Sequence, residues 1–317
     1  MRVLITGGAG FIGGHLVQRL LQMGVQVFVY DLPVVRHRMP KTDAVFIPGS
    51  ILDLQSLRVA LTGIDVIYHL AAIADANVVY DNPHYAEEIN VRGTINVLEA
   101  ARLSKTPRVI YGSTKWVYNE VSQSVVDEET PLRLPNHLYP ATKLTSENYC
   151  IAYDKLYGVS STILRYGNLY GPRATSGSVI PIFVEKALKG EPLTISGDGS
   201  QFRQFVYVDD IAEGNALALK PIAMHKTYNL DGIEKISILQ IAQSIKNIVG
   251  DVKIEFTPER PGDSSGKECR IEKAHTELGW RPKVAFEDGL ARYIEWYKQL
   301  QKDIGLEKKN VDSILQI

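Results

Sequence analysis

Cysteine is nearly missing from this chain of 317 residues: only Cys150 and Cys269 occur, far apart and without metal-type spacing. That speaks against a disulfide framework and a metal centre, and it suits a reducing cytoplasm. Charge of one sign is lacking too. Lys and Arg number 35 against 36 for Asp and Glu, a formal charge of -1, so nothing global draws the protein to nucleic acid or an anionic membrane. No apolar run is long enough to span a bilayer, and the N-terminal Met-Arg-Val-Leu-Ile-Thr-Gly turns to glycine too early for a signal-peptide core. Repeats and low-complexity tracts are absent. What remains, 45% hydrophobic and 22% charged, is an ordinary globular composition, with length for one large α/β domain or two lobes sharing an interface.

Val3-Leu4-Ile5 reads as a short apolar strand, and "TGGAGFIGGHLVQRLLQMG" follows at once. Strand, glycine turn and amphipathic helix come in that order. Gly7 allows the tight turn, Gly10 lets the backbone approach a pyrophosphate, and Gly13 lets the helix lie close to the strand. The helix N-terminus offers free N–H groups and partial positive charge to phosphate oxygens. A second strand, "VQVFVYD", ends in Asp31, near the spacing expected of an acid that binds the adenosine ribose. A carboxylate there repels a 2′-phosphate, which favours NAD over NADP. Arg36 and Arg38, just beyond, soften that preference.

Strands and helices continue to alternate: "AVFIPGS", a helix from about Leu54, "DVIYHLAA", a long helix around residues 84–104, then "RVIYGST". This is the pattern of a doubly wound parallel sheet, whose ligand crevice lies at the carboxyl ends of the strands. Ala71 and Ala72, small residues at such an end, suit close passage under a ligand. After about residue 170 the texture becomes Gly/Pro-punctuated. The chain therefore divides into a first domain over residues 1–168, with elements returning at about 205–232, and a smaller mixed α/β lobe from 169–204 and 233–317.

The stretch "GSTKWVYN" ends a buried-looking strand in two hydroxyls, Ser113 and Thr114, and then presents Lys115 and Trp116. It is either a strand capped by a turn or a catalytic shelf. "YPATK" bears on the choice, because Tyr139 and Lys143 lie one helical turn apart on the same face. A tyrosine, with an ordinary pKa of about 10, becomes a base near neutral pH only beside positive charge, which Lys143 and a nicotinamide ring supply.

With these motifs the chain resembles the extended short-chain dehydrogenase/reductase family, in its nucleotide-sugar epimerase/dehydratase branch. The marks are "TGGAGFIG", "LAA", "NVRGT", "ST" followed by "VY", "YPATK", "LRYGNLYGPR", "GDGSQFRQFVYVDD" and "RPGD", spread over nearly all of residues 1–300. The resemblance implies a Rossmann-type sheet that binds NAD, a smaller substrate-binding lobe for a nucleotide-diphosphate sugar, and a homodimer formed through the helices around residues 84–104 and 140–157. It assigns catalysis to Thr114, Tyr139 and Lys143. Its cofactor-side positions are Gly7, Gly10, Phe11, Ile12, Gly13, Asp31, Ser50, Ile51, Leu70, Ala71, Ala72, Asn90, Ser113, Tyr139, Lys143 and Tyr166. On the substrate side stand Thr114, Asn168, Arg203, Arg260 and Asp263, the arginines matching a fork that clamps the diphosphate. The chain departs from the family in two places: Gly49-Ser50-Ile51 replaces the usual Gly-Asp-Ile, and Arg203-Gln204-Phe205 the usual Arg-Asp-Phe.

Lys115 and Trp116 decide among reactions. In the branch's 4,6-dehydratases an Asp-Glu pair follows the hydroxyl, one group removing the C5 proton and the other protonating the leaving oxygen. Decarboxylases keep a glutamate at the second place. This chain has neither, which favours 4-epimerisation: transient oxidation to a 4-keto sugar and return of the hydride to the other face. A 4,6-dehydratase or a 4-keto reductase is the alternative. Lys115 itself either pairs with an anionic sugar group such as a uronate or points to solvent with its stem packed.

Overall fold

Along the first strands successive side chains turn to opposite faces of a sheet, and each face has its own set of helices. Val3 and Ile5 pack with Leu16, Val17 and Leu20, while Leu4 between them packs with Leu57, Val97 and Leu98. The same alternation recurs farther on, with Ile110 on the first face and Val109 and Tyr111 on the second. A strand buried on both sides reads as a continuous apolar run, as these do. The structure, a computed structural model, describes residues 1–39, 42–174, 177–259 and 266–314, with side chains to residue 303.

The strands are β1 (Arg2–Thr6), β2 (Gln26–Asp31), β3 (Val45–Pro48), β4 (Val66–His69), β5 (Arg108–Thr114), β6 (Val125–Val126), β7 (Ser160–Tyr166), β8 (Asn168–Tyr170), β9 (Leu193–Ser196), β10 (Phe202–Tyr207), β11 (Lys226–Leu230), β12 (Lys235–Ser237), β13 (Ile254–Thr257) and β14 (Glu268–Cys269). The helices are α1 (Phe11–Gln22), α2 (Leu54–Ala60), α3 (Ala76–Asp81), α4 (Pro83–Glu87), α5 (Gly93–Leu103), α6 (Leu138–Tyr157), α7 (Val179–Leu188), α8 (Val208–Leu217), α9 (Ile238–Val249) and α10 (Phe286–Ile314). Seven strands form one sheet in the order β11-β7-β5-β4-β1-β2-β3, every neighbouring pair parallel. This is the doubly wound sheet expected from the sequence. Its order reverses between β1 and β4, so the crevice opens at their carboxyl ends.

A second core joins Tyr170, Phe183, Ile195, Tyr207, Ile241 and Tyr293 beneath a three-stranded sheet, β12-β10-β8, and the parallel pair β9 and β13. Ala274, Leu278 and Trp280 cross back into the first core, where the Trp280 indole donates to the carbonyl of Asp210 at 2.8 Å. Among the described residues, no helix is long and apolar enough to cross a membrane.

The helix expected over residues 84–104 is interrupted. α4 and α5 are joined by a π-helical turn, Glu88–Arg92, which carries the wholly buried Asn90. Period alone does not reveal such a turn, because it inserts one residue into an otherwise helical run.

Candidate active site

The turn after β1 separates the roles of its glycines. Gly7 has φ 73°, and a Cβ there would lie 2.7 Å from the amide nitrogen of Ala71. A Cβ on Gly13 would meet the carbonyl oxygen of Gly7 at 2.2 Å, which is how closely α1 lies against the turn. Gly10 is exposed, and its Cβ would meet only the Gly7 carbonyl, at 3.1 Å. Nor does any side chain cap α1 or any acid stand in its first turn, so the N–H groups of Phe11 and Ile12 face an open mouth fit for a pyrophosphate. Leu70 and Ala71 close the other wall, the Leu70 amide donating to the carbonyl of Thr6 at 3.1 Å, with Ala72 half-buried beyond. Asp31 accepts from the amides of Ala9 at 3.0 Å and Leu32 at 2.8 Å. Burial raises its pKa, opposed by those two amides and by Arg38. Ser50 accepts from the Leu52 amide at 3.2 Å, shaping its own turn, and the Ile51 side chain is buried against Gly93.

At the end of β5 the two readings of "GSTKWVYN" turn out to be compatible. Thr114 caps a 3₁₀ turn over Lys115–Tyr118, accepting from the Trp116 amide at 3.2 Å. The same hydroxyl stands toward the phenol of Tyr139, in the first turn of α6. Burial pushes the pKa of Tyr139 up to about 12, and the nearby Thr114 hydroxyl pulls it partly back. Trp116 meets the Tyr139 ring edge to face, centroids 5.8 Å apart at 86°. One turn along α6, Lys143 is buried with its ammonium 4.3 Å from the centre of the Tyr111 ring. Burial lowers its pKa to about 8, against the pull of Cys150 and Glu147.

In front of Tyr139 lies a cavity of about 560 Å³, lined also by Lys115, Trp116, His137, Asn168, Arg203 and Lys267. No lining residue among those described is acidic. Asn168 donates to the Gln204 carbonyl at 2.9 Å, and Arg203 to the carbonyl of Phe202 at 2.8 Å. Tyr166 donates to Asn215 at 2.7 Å, with its ring under Gly112. Arg260 and Asp263 lie outside the described residues.

Solvent is not where Lys115 points. Its side chain is only 11% exposed, and its ammonium lies 2.7 Å from a carboxylate oxygen of the wholly buried Asp231. That partner comes from the end of β11, more than a hundred residues away, and no local pattern announces it.

The profile of the NAD dependent epimerase/dehydratase family matches residues 3–231. This chain belongs to that family. A putative UDP-glucose 4-epimerase of Methanocaldococcus jannaschii is 34% identical over 93% of this chain and 98% of its own. The structure of the UDP-glucuronic acid 4-epimerase of Bacillus cereus, in complex with UDP-glucuronic acid and NAD, is similar at a TM-score of 0.87 and 34% identity, over 95% of this chain and 100% of that one. A dTDP-glucose 4,6-dehydratase of Streptomyces venezuelae, with NAD bound, follows at 0.86 and 32%, covering 94% and 97%. Decarboxylases stand among the relatives as well. Membership of the epimerase/dehydratase family thus fixes the fold and a nucleotide-sugar chemistry but leaves the reaction to be argued from the site.

Behind the family motifs lie two buried networks that begin at Asn90 and Ser113, both named from the sequence, and run to partners that sequence reasoning did not reach. Asn90 accepts from the amide of Ile73 at 2.8 Å and donates to the Ile73 carbonyl and the Thr142 hydroxyl, both at 3.0 Å. It ties the loop after β4 to the first turns of α6. Beside it, His69 stands between Thr6 at 2.8 Å and Thr94 at 3.0 Å. Thr94 gives its own hydrogen to the Asn90 carbonyl, which assigns the ring proton to Nε2 and leaves Nδ1 as acceptor. Burial, with Lys143 nearby, lowers the His69 pKa to about 3 and keeps the ring neutral.

The second network hangs from Ser113, whose hydroxyl donates to Glu147. Glu147 is paired with Arg165 at 2.7 Å, and Arg165 donates to the Tyr118 hydroxyl at 2.6 Å. Tyr118 in turn donates to Asn229 at 3.0 Å. Ser113 is therefore committed backward into the protein, whereas the Thr114 hydroxyl stands toward Tyr139.

Proposed function

We propose that this chain is an NAD-dependent nucleotide-sugar 4-epimerase, with a UDP-sugar as substrate. The observation that carries the reading is that Tyr139, with the Thr114 hydroxyl beside it, faces a cleft whose described lining holds no carboxylate. Elimination of water needs an acid and a base beyond the phenol. Asp231 does not meet that need, being wholly buried behind Lys115. Oxidation and reduction at one carbon by a bound nicotinamide cofactor need no acid or base beyond the phenol.

In this mechanism the glycine turn and the uncapped start of α1 hold the pyrophosphate of NAD, and Asp31 orients the adenosine ribose. Asp31 also braces the turn through Ala9. Bound NAD supplies the hydride acceptor and, once reduced, the donor. Lys143 binds the nicotinamide ribose and places positive charge behind Tyr139. Phenolate character then becomes accessible to a group that otherwise holds its proton to about pH 12. Tyr139 takes the proton of the sugar C4 hydroxyl and later returns it, and Thr114 steadies the oxygen it leaves on. Asn168 and Arg203, with Arg260, anchor the nucleotide diphosphate while the 4-keto sugar turns over, and Asp263 contacts the nucleotide ribose. Asn90 orders the site by holding the loop after β4 against α6. A homodimer agrees with the exposed Leu103 of α5 and Tyr149, Leu156 and Tyr157 of α6.

The test is to incubate purified protein with a panel of nucleotide sugars and follow both mass and stereochemistry. Interconversion of C4 epimers without change of mass or net consumption of cofactor supports the reading. A product lighter by one water, or stoichiometric oxidation of added NADH, contradicts it.

A further inference from the structure

Lys115 follows Thr114 directly in the chain, and its side chain lines the same cavity as Tyr139, Asn168 and Arg203. It does not present an uncompensated charge there. Its ammonium donates to Asp231 at 2.7 Å, with a longer contact of 3.4 Å to the Gln204 carbonyl. An ammonium has three N–H donors, so these contacts leave one for the cleft.

Asp231 is built in rather than incidental. It accepts from the amide of Gly232 at 2.8 Å. A Cβ on Gly167 would fall 1.8 Å from one of its oxygens, so the backbone beside it has been cleared to admit it. The carboxylate is thus fixed in position immediately behind the ammonium that faces the substrate.

We propose that the Lys115–Asp231 pair is a specificity determinant for the sugar: Lys115 donates to an uncharged hydroxyl or carbonyl oxygen, and Asp231 behind it disfavours a carboxylate at that place. The physical reason is that the pair is neutral as a whole. Asp231 close behind offsets much of the attraction Lys115 would exert on a uronate, leaving too little to repay the water stripped from that carboxylate. A hydroxyl gains the hydrogen bond without that desolvation cost. The inference rests on the reading of the cleft as a nucleotide-sugar site.

The test compares NAD-loaded wild type, Asp231→Asn, Lys115→Met and the double variant, measuring calorimetric affinity for UDP-glucose and UDP-glucuronate alongside epimerisation of each. Asparagine keeps the shape and one of the two acceptor oxygens while removing the charge. Wild type is expected to favour UDP-glucose by about tenfold or more. Asp231→Asn is expected to move the ratio toward UDP-glucuronate by about the same factor, and the double variant to lose that shift. Lys115→Met is expected to weaken UDP-glucose binding; should it fail to fold, the double variant, uncharged at both places, carries the same comparison. A ratio in Asp231→Asn within about twofold of wild type, or a wild type that already favours the uronate, overturns the proposal. Turnover with an unshifted ratio overturns this inference and leaves the epimerase reading intact. A shifted ratio without turnover does the reverse, and a wild type that binds neither sugar overturns both.

Discussion

The hydroxyl of Thr114 caps the turn that follows it and at the same time stands toward the phenol of Tyr139, favouring its phenolate. One oxygen therefore fixes the local backbone and tunes the acid–base group. Tyr139→Phe is expected to keep the fold and the bound NAD, and to lower turnover by roughly a hundred- to ten-thousand-fold. Thr114→Val removes the donor that favours the phenolate, so the acid limb of its pH–rate profile is expected at higher pH than in wild type. A steady-state profile on both variants checks this.

Lys143 carries a pH signature of its own. Burial lowers its pKa to about 8 in the folded protein, whereas in the unfolded chain a lysine titrates at about 10.4. Between those values the unfolded state binds more protons, so this group's contribution to stability rises with pH across the window. Below about pH 8 the cost of a buried charge is present in full. After removal of the cofactor, Lys143→Met is expected to melt above wild type at pH 7, the gap narrowing as pH rises past 8. Thermal melts at several pH values decide it.

Two neighbouring glycines are expected to fail differently. A Cβ on Gly13 would sit 2.2 Å from a backbone carbonyl, while one on Gly10 meets only a single oxygen at 3.1 Å. Gly13→Ala should therefore lower the melting temperature sharply. Gly10→Ala should melt near wild type and lose bound NAD, because the added methyl stands in the mouth of the turn. Melting curves and the absorbance of released cofactor separate the two.

Beneath Ser113, the Glu147–Arg165 pair is buried on both sides. Arg165→Met strands a carboxylate and is expected to destabilise by roughly 3–5 kcal/mol. Glu147→Gln combined with Arg165→Met removes both charges and should recover most of that loss. Denaturant unfolding of the single and double variants measures it.

Much of this was legible in the sequence because its causes are local. The apolar strands, the glycine turn, the Asp31 that ends the next strand and the one-turn spacing of Tyr139 and Lys143 all depend on neighbours within a few residues. What escaped depends on contacts across the fold. Asp231 meets Lys115 only once β11 lies in the sheet. Asn90 reaches Ile73 and Thr142 because a π turn rotates it inward. Glu147 and Arg165 sit on a helix and a strand that read as unremarkable until α6 packs on β7.

The account stands on a phenol that exchanges one proton with a sugar hydroxyl while the hydrogen on that carbon leaves and returns. Its most direct test is UDP-glucose deuterated at C4, incubated with the protein as purified and followed by mass spectrometry and NMR. The account predicts UDP-galactose of unchanged mass with deuterium still at C4. A product lighter by one water with the label at C6, or loss of the label to solvent, would contradict it.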